Sequence, residues 1–169
     1  MLLPKRCALV RRLAGLIVLL LPLRLAVAAE DPGTGLTRLA RQAEVIAFGH
    51  CQSAESSWDE QHRFIITTIH FQPRQTFKGA AADSLTVKVL GGQLGTEGMT
   101  ASHSAALTAG ETAVLFLQHS RFGDYFIITG GADGKLAVGT EPGSGRPLIR
   151  GALSLDDFGR LITGISERR

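Results

Sequence analysis

The chain has 169 residues, 18 Lys and Arg against 15 Asp and Glu, a formal net charge of +3, and two cysteines. Five of the basic residues (Lys5, Arg6, Arg11, Arg12 and Arg24) precede the first acidic one, Glu30, so the remainder carries 13 basic against 15 acidic side chains, a net charge of about −2. That balance removes the electrostatic case for nucleic-acid binding, and the single cysteine after the basic start, Cys51, excludes an internal disulfide there.

Residues 1–29 have the pattern of a secretory signal peptide: a basic start, an apolar run from Leu13 to Leu23, and the small-residue stretch Ala26-Val27-Ala28-Ala29. A spanning helix needs about 20 apolar residues, and Pro22 and Arg24 interrupt this run. Cleavage near Ala29 or Glu30 is expected, giving a periplasmic or secreted product with no stable membrane insertion. No Cys follows the small-residue stretch, as a lipoprotein would require, and Arg11-Arg12 is a weak twin-arginine signal. The roughly 140 residues that remain suit one domain with a core of its own.

A short helix is expected over Thr37–Gln42, followed by strands broken by turn chemistry. Residues 44–53 (EVIAFGHCQS) read as a long strand that bends at Gly49. The polar stretch 56–61 (SSWDEQ) reads as a hairpin loop, and 63–71 (RFIITTIHF) is β-branched and aromatic, as strands prefer. Pro73 predicts an end or bulge at Gln72–Arg74. Lys78-Gly79 opens a turn, and Leu85, Val87 and Val89 alternate with Thr86 and Lys88 as a half-buried strand. Residues 91–103 have no clear assignment. Residues 108–111 form a turn, and ETAVLFLQ (111–118) is apolar enough to be covered on both faces. A second hairpin turns near Phe122-Gly123-Asp124 and returns over Tyr125–Thr129; Asp133-Gly134 predicts a tight turn before a strand from Lys135 to Val138.

Residues 141–153, rich in Pro and Gly, read as a linker. Ser154 with Asp157 is an N-cap signature, and Leu155, Phe158, Leu161, Ile162 and Ile165 recur at helical spacing, predicting an amphipathic helix over 155–166 that docks its apolar stripe on the barrel. The expected organisation is a signal peptide at 1–29, an OB-like barrel at 30–140, a linker at 141–153 and a C-terminal helix at 154–169. The fold class is mainly β, a small OB-like five- or six-stranded antiparallel barrel with a C-terminal α-helix.

The segments AEVIAFGHCQS (43–53), IITTIHFQPRQTFKG (65–79), LTVKV, ETAVLFL and GGADGKLAV (130–138) resemble, in order, the OB-fold domain of tissue inhibitors of metalloproteinases and related netrin-like modules. The pieces that carry the resemblance best are Phe77-Lys78-Gly79 and Asp133-Gly134-Lys135. It implies the fold alone. Those inhibitors chelate a target's zinc with an amino-terminal Cys and brace themselves with disulfides, and this chain has neither feature at the expected mature terminus. It also resembles small exported bacterial proteins that share a strand ending in Gly, a Glu-Ser pair and a later Gly-Glu before an apolar strand.

The five histidines (His50, His62, His70, His103, His119) form no compact ligand motif, so neither a metal nor a cofactor is expected. Gly-Ser-Gly at 143–145 lacks the spacing of a nucleophile elbow, and the glycines at 91, 92 and 95 lack the Gly-Lys-Ser/Thr of a P-loop. Cys51, with Ile46 and Phe48 upstream, reads as a core residue more readily than as a reactive thiol. Trp58, the one tryptophan, sits with Asp59 and Glu60 in a polar stretch and is the candidate partner contact, since Trp is enriched at binding hot spots. The expectation is therefore a non-enzymatic exported module that binds a protein partner, with a protease among the candidates. The alternative is a small periplasmic hydrolase using a His and an acidic residue, with or without metal.

Overall fold

A computed structural model describes residues 32–168, so the expected signal peptide lies outside the described residues. Its organising strand is β1 (Val45–Trp58), whose 14 residues pair with β2 (Ile65–Lys78) along nearly their whole length. The first six, Val45 to His50, also pair on the other side with β6 (Thr112–His119). From β2 the sheet continues to β3 (Leu85–Leu90), which meets β7 (Phe126–Ile128) at Val87 opposite Phe126, and β7 returns to β6. The circuit β1-β2-β3-β7-β6-β1 is a closed five-stranded barrel, compatible with an OB-like fold. Its strand pairs are antiparallel except for the parallel β3–β7 contact.

Closure depends on bending β1, and the bends fall where the sequence permits them. The β1–β2 register shifts at Ile46/Ala47, Phe48/Gly49 and Cys51/Ser53. Gly49 lies opposite Pro73, and a Cβ there would collide with the Gln72 carbonyl. The bulge expected at Gln72–Arg74 is present: the adjacent Phe48 and Gly49 pair with Gln75 and Pro73, so Arg74 is an extra residue in β2, which runs on to Lys78. The expected loop at 56–61 is corrected: β1 extends to Trp58, because Glu55 and Ser57 face solvent on the outer side while Ala54 and Ser56 point inward. The connection to β2 is residues 59–64.

Alternation along β1 and β6 divides the apolar residues into two cores. Val45, Ala47, Cys51, Ala113, Leu115 and Leu117 face the barrel interior with Ile69, Phe71 and Val87. Ile46, Phe48, Val114 and Phe116 face outward and are buried under α1 (Pro32–Gln42), α2 (Leu155–Glu167), β8 (Lys135–Thr140) and β9 (Pro147–Ile149). This is why residues 113–117 are apolar without interruption. The segment expected as a linker carries β9 and β10 (Leu153–Ser154), paired with each other, and β9 is hydrogen-bonded to β8. The unassigned stretch after β3 forms a small hairpin of β4 (Gly92–Leu94) and β5 (Glu97–Met99), and the turn at Asp133-Gly134 is a 3₁₀ turn over Gly131–Gly134.

Both helices dock as amphipathic elements. In α2 the Ser154 hydroxyl accepts the Asp157 N–H at 3.1 Å, and Phe158, Ile162 and Ile165 are buried. The Phe158 ring packs edge-on against Phe77 and Phe116. Helix α1 starts five residues before the expected Thr37: Gly33 and Gly35 argue against helix, yet Pro32 suits a first helical position and burial of Leu39 and Ala40 in the outer core outweighs propensity. Its C-terminal end is closed by β2, where the Lys78 ammonium donates to the carbonyls of Ala40 (2.7 Å) and Ala43 (2.5 Å). Gly79, with φ +86, allows the backbone to approach the Glu44 carbonyl where a Cβ would crowd it. Phe77-Lys78-Gly79 therefore ties both helices to the barrel.

Phe158→Ala is expected to cost about 3–5 kcal/mol, and Lys78→Met about 1.5–3 kcal/mol, since carbonyls held by a charged donor lose it. Urea denaturation checks both, and Lys78→Arg should recover part of the second loss.

Candidate functional site

The outer surface of the barrel is covered on one side only. Along β2 the buried residues Ile65, Thr67, Ile69 and Phe71 alternate with Ile66, Thr68 and His70, which face outward. Leu90 lies opposite Ile66, Lys88 opposite Thr68 and Thr86 opposite His70; across β1, Ser57 and Glu55 flank the same residues. On β7, Ile127 points outward between Phe126 and Ile128, which turn toward the inner core. Five large hydrophobic side chains are exposed among the described residues, and four border this surface: Phe64 (44%), Leu90 (45%), Ile127 (41%) and Phe122 (81%) in the β6–β7 loop. The fifth, Leu161, is on α2. Cations rest on the aromatic rings here: Lys88 Nζ is 4.6 Å from the Tyr125 centroid, and Arg63 Cζ is 5.6 Å from that of Phe64.

The sequence-derived candidates sit at the margin of this surface. Trp58 ends β1 opposite Ile65, is half-buried, and stacks on His62 with ring centroids 6.0 Å apart and planes 17° apart. Asp59 builds the hairpin: one carboxylate oxygen, Oδ1, accepts the N–H groups of Arg63 (2.6 Å) and Phe64 (3.0 Å). The Phe64 N–H is the largest influence holding this carboxyl below its usual range, aided by the Arg63 N–H and nearby positive charge. Glu60 is exposed at the tip. Trp58 and Asp59 thus set the hairpin that places Phe64, and Glu60 extends into solvent. The sequence reading missed Phe64, Leu90 and Ile127. The signal was present in RFIITTIHF, where Phe64 and Ile66 are apolar on the strand face opposite the one that Ile65, Ile69 and Phe71 fill.

The end of the barrel beside β4 and β5 is crossed by residues 100–110, whose Ala105 and Leu107 enter the inner core. Lys135 anchors this segment by donating to the Ala106 carbonyl (2.5 Å) and to Glu111 Oε1 (2.6 Å); Glu111 Oε2 in turn accepts the Thr108 N–H at 3.1 Å. The Ala132 N–H holds the His103 carbonyl at 2.7 Å, and a Cβ on Gly131 would collide with that oxygen. The Gly-Ala-Asp-Gly-Lys run is therefore a clasp for the crossing segment. Burial alone would raise the Glu111 carboxyl, but the hydrogen bonds from Lys135 and Thr108 and the Lys135 charge outweigh it and hold the group below 4.5. Between this segment, the β4–β5 hairpin and the barrel wall is a pocket of about 540 Å³.

Cys51 is buried in the inner core, its thiol donating to the Ser53 carbonyl at 3.3 Å. Burial first, and the Glu111 charge second, push its pKa up. Among the described residues no three His, Cys, Asp or Glu side chains gather as metal ligands. His119 and Asp124 form the His-carboxylate pair that a hydrolase would want, with Nε2 3.2 Å from Oδ1, but Nδ1 faces the Ser120 carbonyl at 3.0 Å. Both ring nitrogens thus face acceptors, and neither directs a lone pair at a nucleophile. No helix among the described residues is long and apolar enough to cross a membrane. No protein-family model matches the chain, and a search of curated proteins gives no match.

Two outcomes follow from this geometry. Because the Glu111 carboxyl is lowered by folding, its contribution is complete above its ordinary value of 4.5 and is lost as pH falls through the lower folded value. The urea midpoint of the native chain should exceed that of Glu111→Gln at neutral pH, and the gap should close on acidification. Cys51 should resist a thiol reagent in the native protein and react once urea unfolds it.

Proposed function

We propose that this chain is an exported, non-enzymatic binding module that captures a protein partner on the β2–β3–β7 surface, with the Trp58-Asp59-Glu60 hairpin at its rim. The observation that carries the reading is the asymmetry of cover: α1, α2, β8 and β9 bury one side of the barrel, while four of the five exposed large hydrophobic residues border the other. Exposed large apolar side chains concentrated on one side of a barrel are what interaction surfaces present. OB-like barrels bind oligonucleotides and oligosaccharides through the corresponding strands and flanking loops. Here the balance of charge disfavours an oligonucleotide, and the aliphatic Ile66, Leu90 and Ile127 suit the apolar core of a protein interface, with Glu55, Arg63 and Lys88 available for a polar rim.

Export rests on the first 29 residues, and the site of action is accordingly the periplasm or the extracellular space. The likeness to netrin-like protease inhibitors rests on Phe77-Lys78-Gly79 and Asp133-Gly134-Lys135. Both runs serve the scaffold, so a shared barrel would account for them. A protease remains among the partners to test, but it would be engaged by this open surface, since the metal-chelating amino-terminal Cys has no counterpart.

Leu90→Asp and Ile127→Asp are each expected to weaken capture of the partner by more than about 1 kcal/mol, while the melting temperature stays within about 3 °C, as for other surface substitutions. Binding titration and calorimetry on the same preparations check this. Unchanged affinity in both variants would remove the proposed surface.

A further inference from the structure

The pocket beside the β4–β5 hairpin has a composition that selects its occupant. Its volume of about 540 Å³ lies within the range of small-molecule sites, roughly 300–1,000 Å³. It exists because β1 carries small side chains, Ala54 and Ser56, at inward positions near this end, where a small barrel is ordinarily filled by its own larger residues. The wall contains no Asp, Glu, Lys, Arg or His and no aromatic ring; Ala54, Val89, Met99 and Leu107 supply its aliphatic part.

Five hydroxyl side chains (Ser56, Thr67, Thr100, Ser104 and Thr108) and the Gln93 amide interrupt that wall, and the protons of two of them, Ser56 and Thr67, can be traced. Thr67 Oγ1 lies 2.6 Å from the Gly91 carbonyl, which can only accept, so the single Thr67 proton is directed there. Ser56 Oγ lies 2.9 Å from Thr67 Oγ1 and must therefore donate to it. Ser56 Oγ is left with lone pairs and no proton to offer, a hydrogen-bond acceptor beside the aliphatic part of the wall.

We propose that this pocket binds an uncharged amphiphile, an aliphatic body bearing one O–H or N–H donor, with the donor directed at Ser56 Oγ. A charged head group would lose its hydration with no counter-ion in the wall to replace it. At Ser56 Oγ, a head group that only accepts would meet lone pairs with lone pairs. This inference is independent of the protein-partner reading, because the hydroxyls and the inward wall lie on the opposite side of the strands from the open surface, and Leu90 is the residue common to both.

The test titrates the purified protein with octan-1-ol, octanoate and 1-methoxyoctane, read by amide chemical shifts and calorimetry. Octan-1-ol should give saturable shifts centred on the pocket lining, with octanoate and the ether at least about tenfold weaker. Ser56→Ala should weaken the alcohol by about tenfold, and Ala101→Phe, which fills the pocket from its lining, should abolish its binding, with native-like spectra confirming both folds. Partner capture should be unaltered in both variants, which separates this site from the open surface. Absence of saturable shifts up to the solubility limit of octan-1-ol, equal binding of octanoate or the ether, or undiminished binding in both variants would overturn the proposal.

Discussion

One strand has to satisfy two neighbours at once, and the rest of the molecule depends on that constraint. β1 gives its first half to both β6 and β2 and its second half to β2 alone, so it must bend between them, and Gly49 is where the backbones come too close for any side chain. Closure removes the free sheet edges that an open five-stranded sheet would expose to another chain. It also decides the side-chain budget of each strand. Where β1 and β6 run together both of their faces are buried, because the interior fills one and the helices the other. Where β1 has parted from β6, its outer face carries Glu55 and Ser57 and its inner face falls to Ala54 and Ser56.

Two lysines turn this barrel into a single packed unit. Lys78 satisfies carbonyls at the end of α1, groups that a helix leaves without partners. Lys135 does the same for the Ala106 carbonyl and neutralises Glu111. Each is only partly buried, so each ammonium keeps some hydration while organising backbone that would otherwise be unpaired. With the helices fixed on one side and residues 100–110 fixed across one end, two regions are left open: the β2–β3–β7 surface and the small-residue pocket. They differ in chemistry. The surface combines exposed aliphatic and aromatic side chains with charges at its margin, whereas the pocket has no charged side chain and sets hydroxyl and amide groups among aliphatic ones, with Ser56 Oγ as an acceptor.

Much of the barrel was legible because its signals are local. The period-two alternation of Leu85, Val87 and Val89, the unbroken apolar run of 113–117 and the Ser154 cap each specify an element without reference to distant residues. What was not legible depended on partners far away in sequence. The extension of β1 to Trp58 requires β2 to supply hydrogen bonds to a polar stretch that reads as a loop, and the extra turns of α1 require the outer core to compensate for Gly33 and Gly35. The β4–β5 hairpin is short and supported by neighbouring backbone more than by its own apolar content. The candidate site was legible only at its rim: Trp58 stands out as the one tryptophan, whereas Leu90 and Ile127 look like ordinary strand residues until the topology shows that nothing among the described residues packs over them.

The central claim is that the uncovered side of the barrel is the one that meets a partner. A photo-crosslinking amino acid placed singly at Leu90, Ile127 and Phe64, and for comparison at Leu161 and Asp156 on α2, tests it with the chain otherwise intact and expressed in its own host. The account predicts one discrete adduct of the same mass from the three positions on the β2–β3–β7 side and none from the two on the helix. Adducts that arise from α2 and are absent from the barrel surface would contradict it.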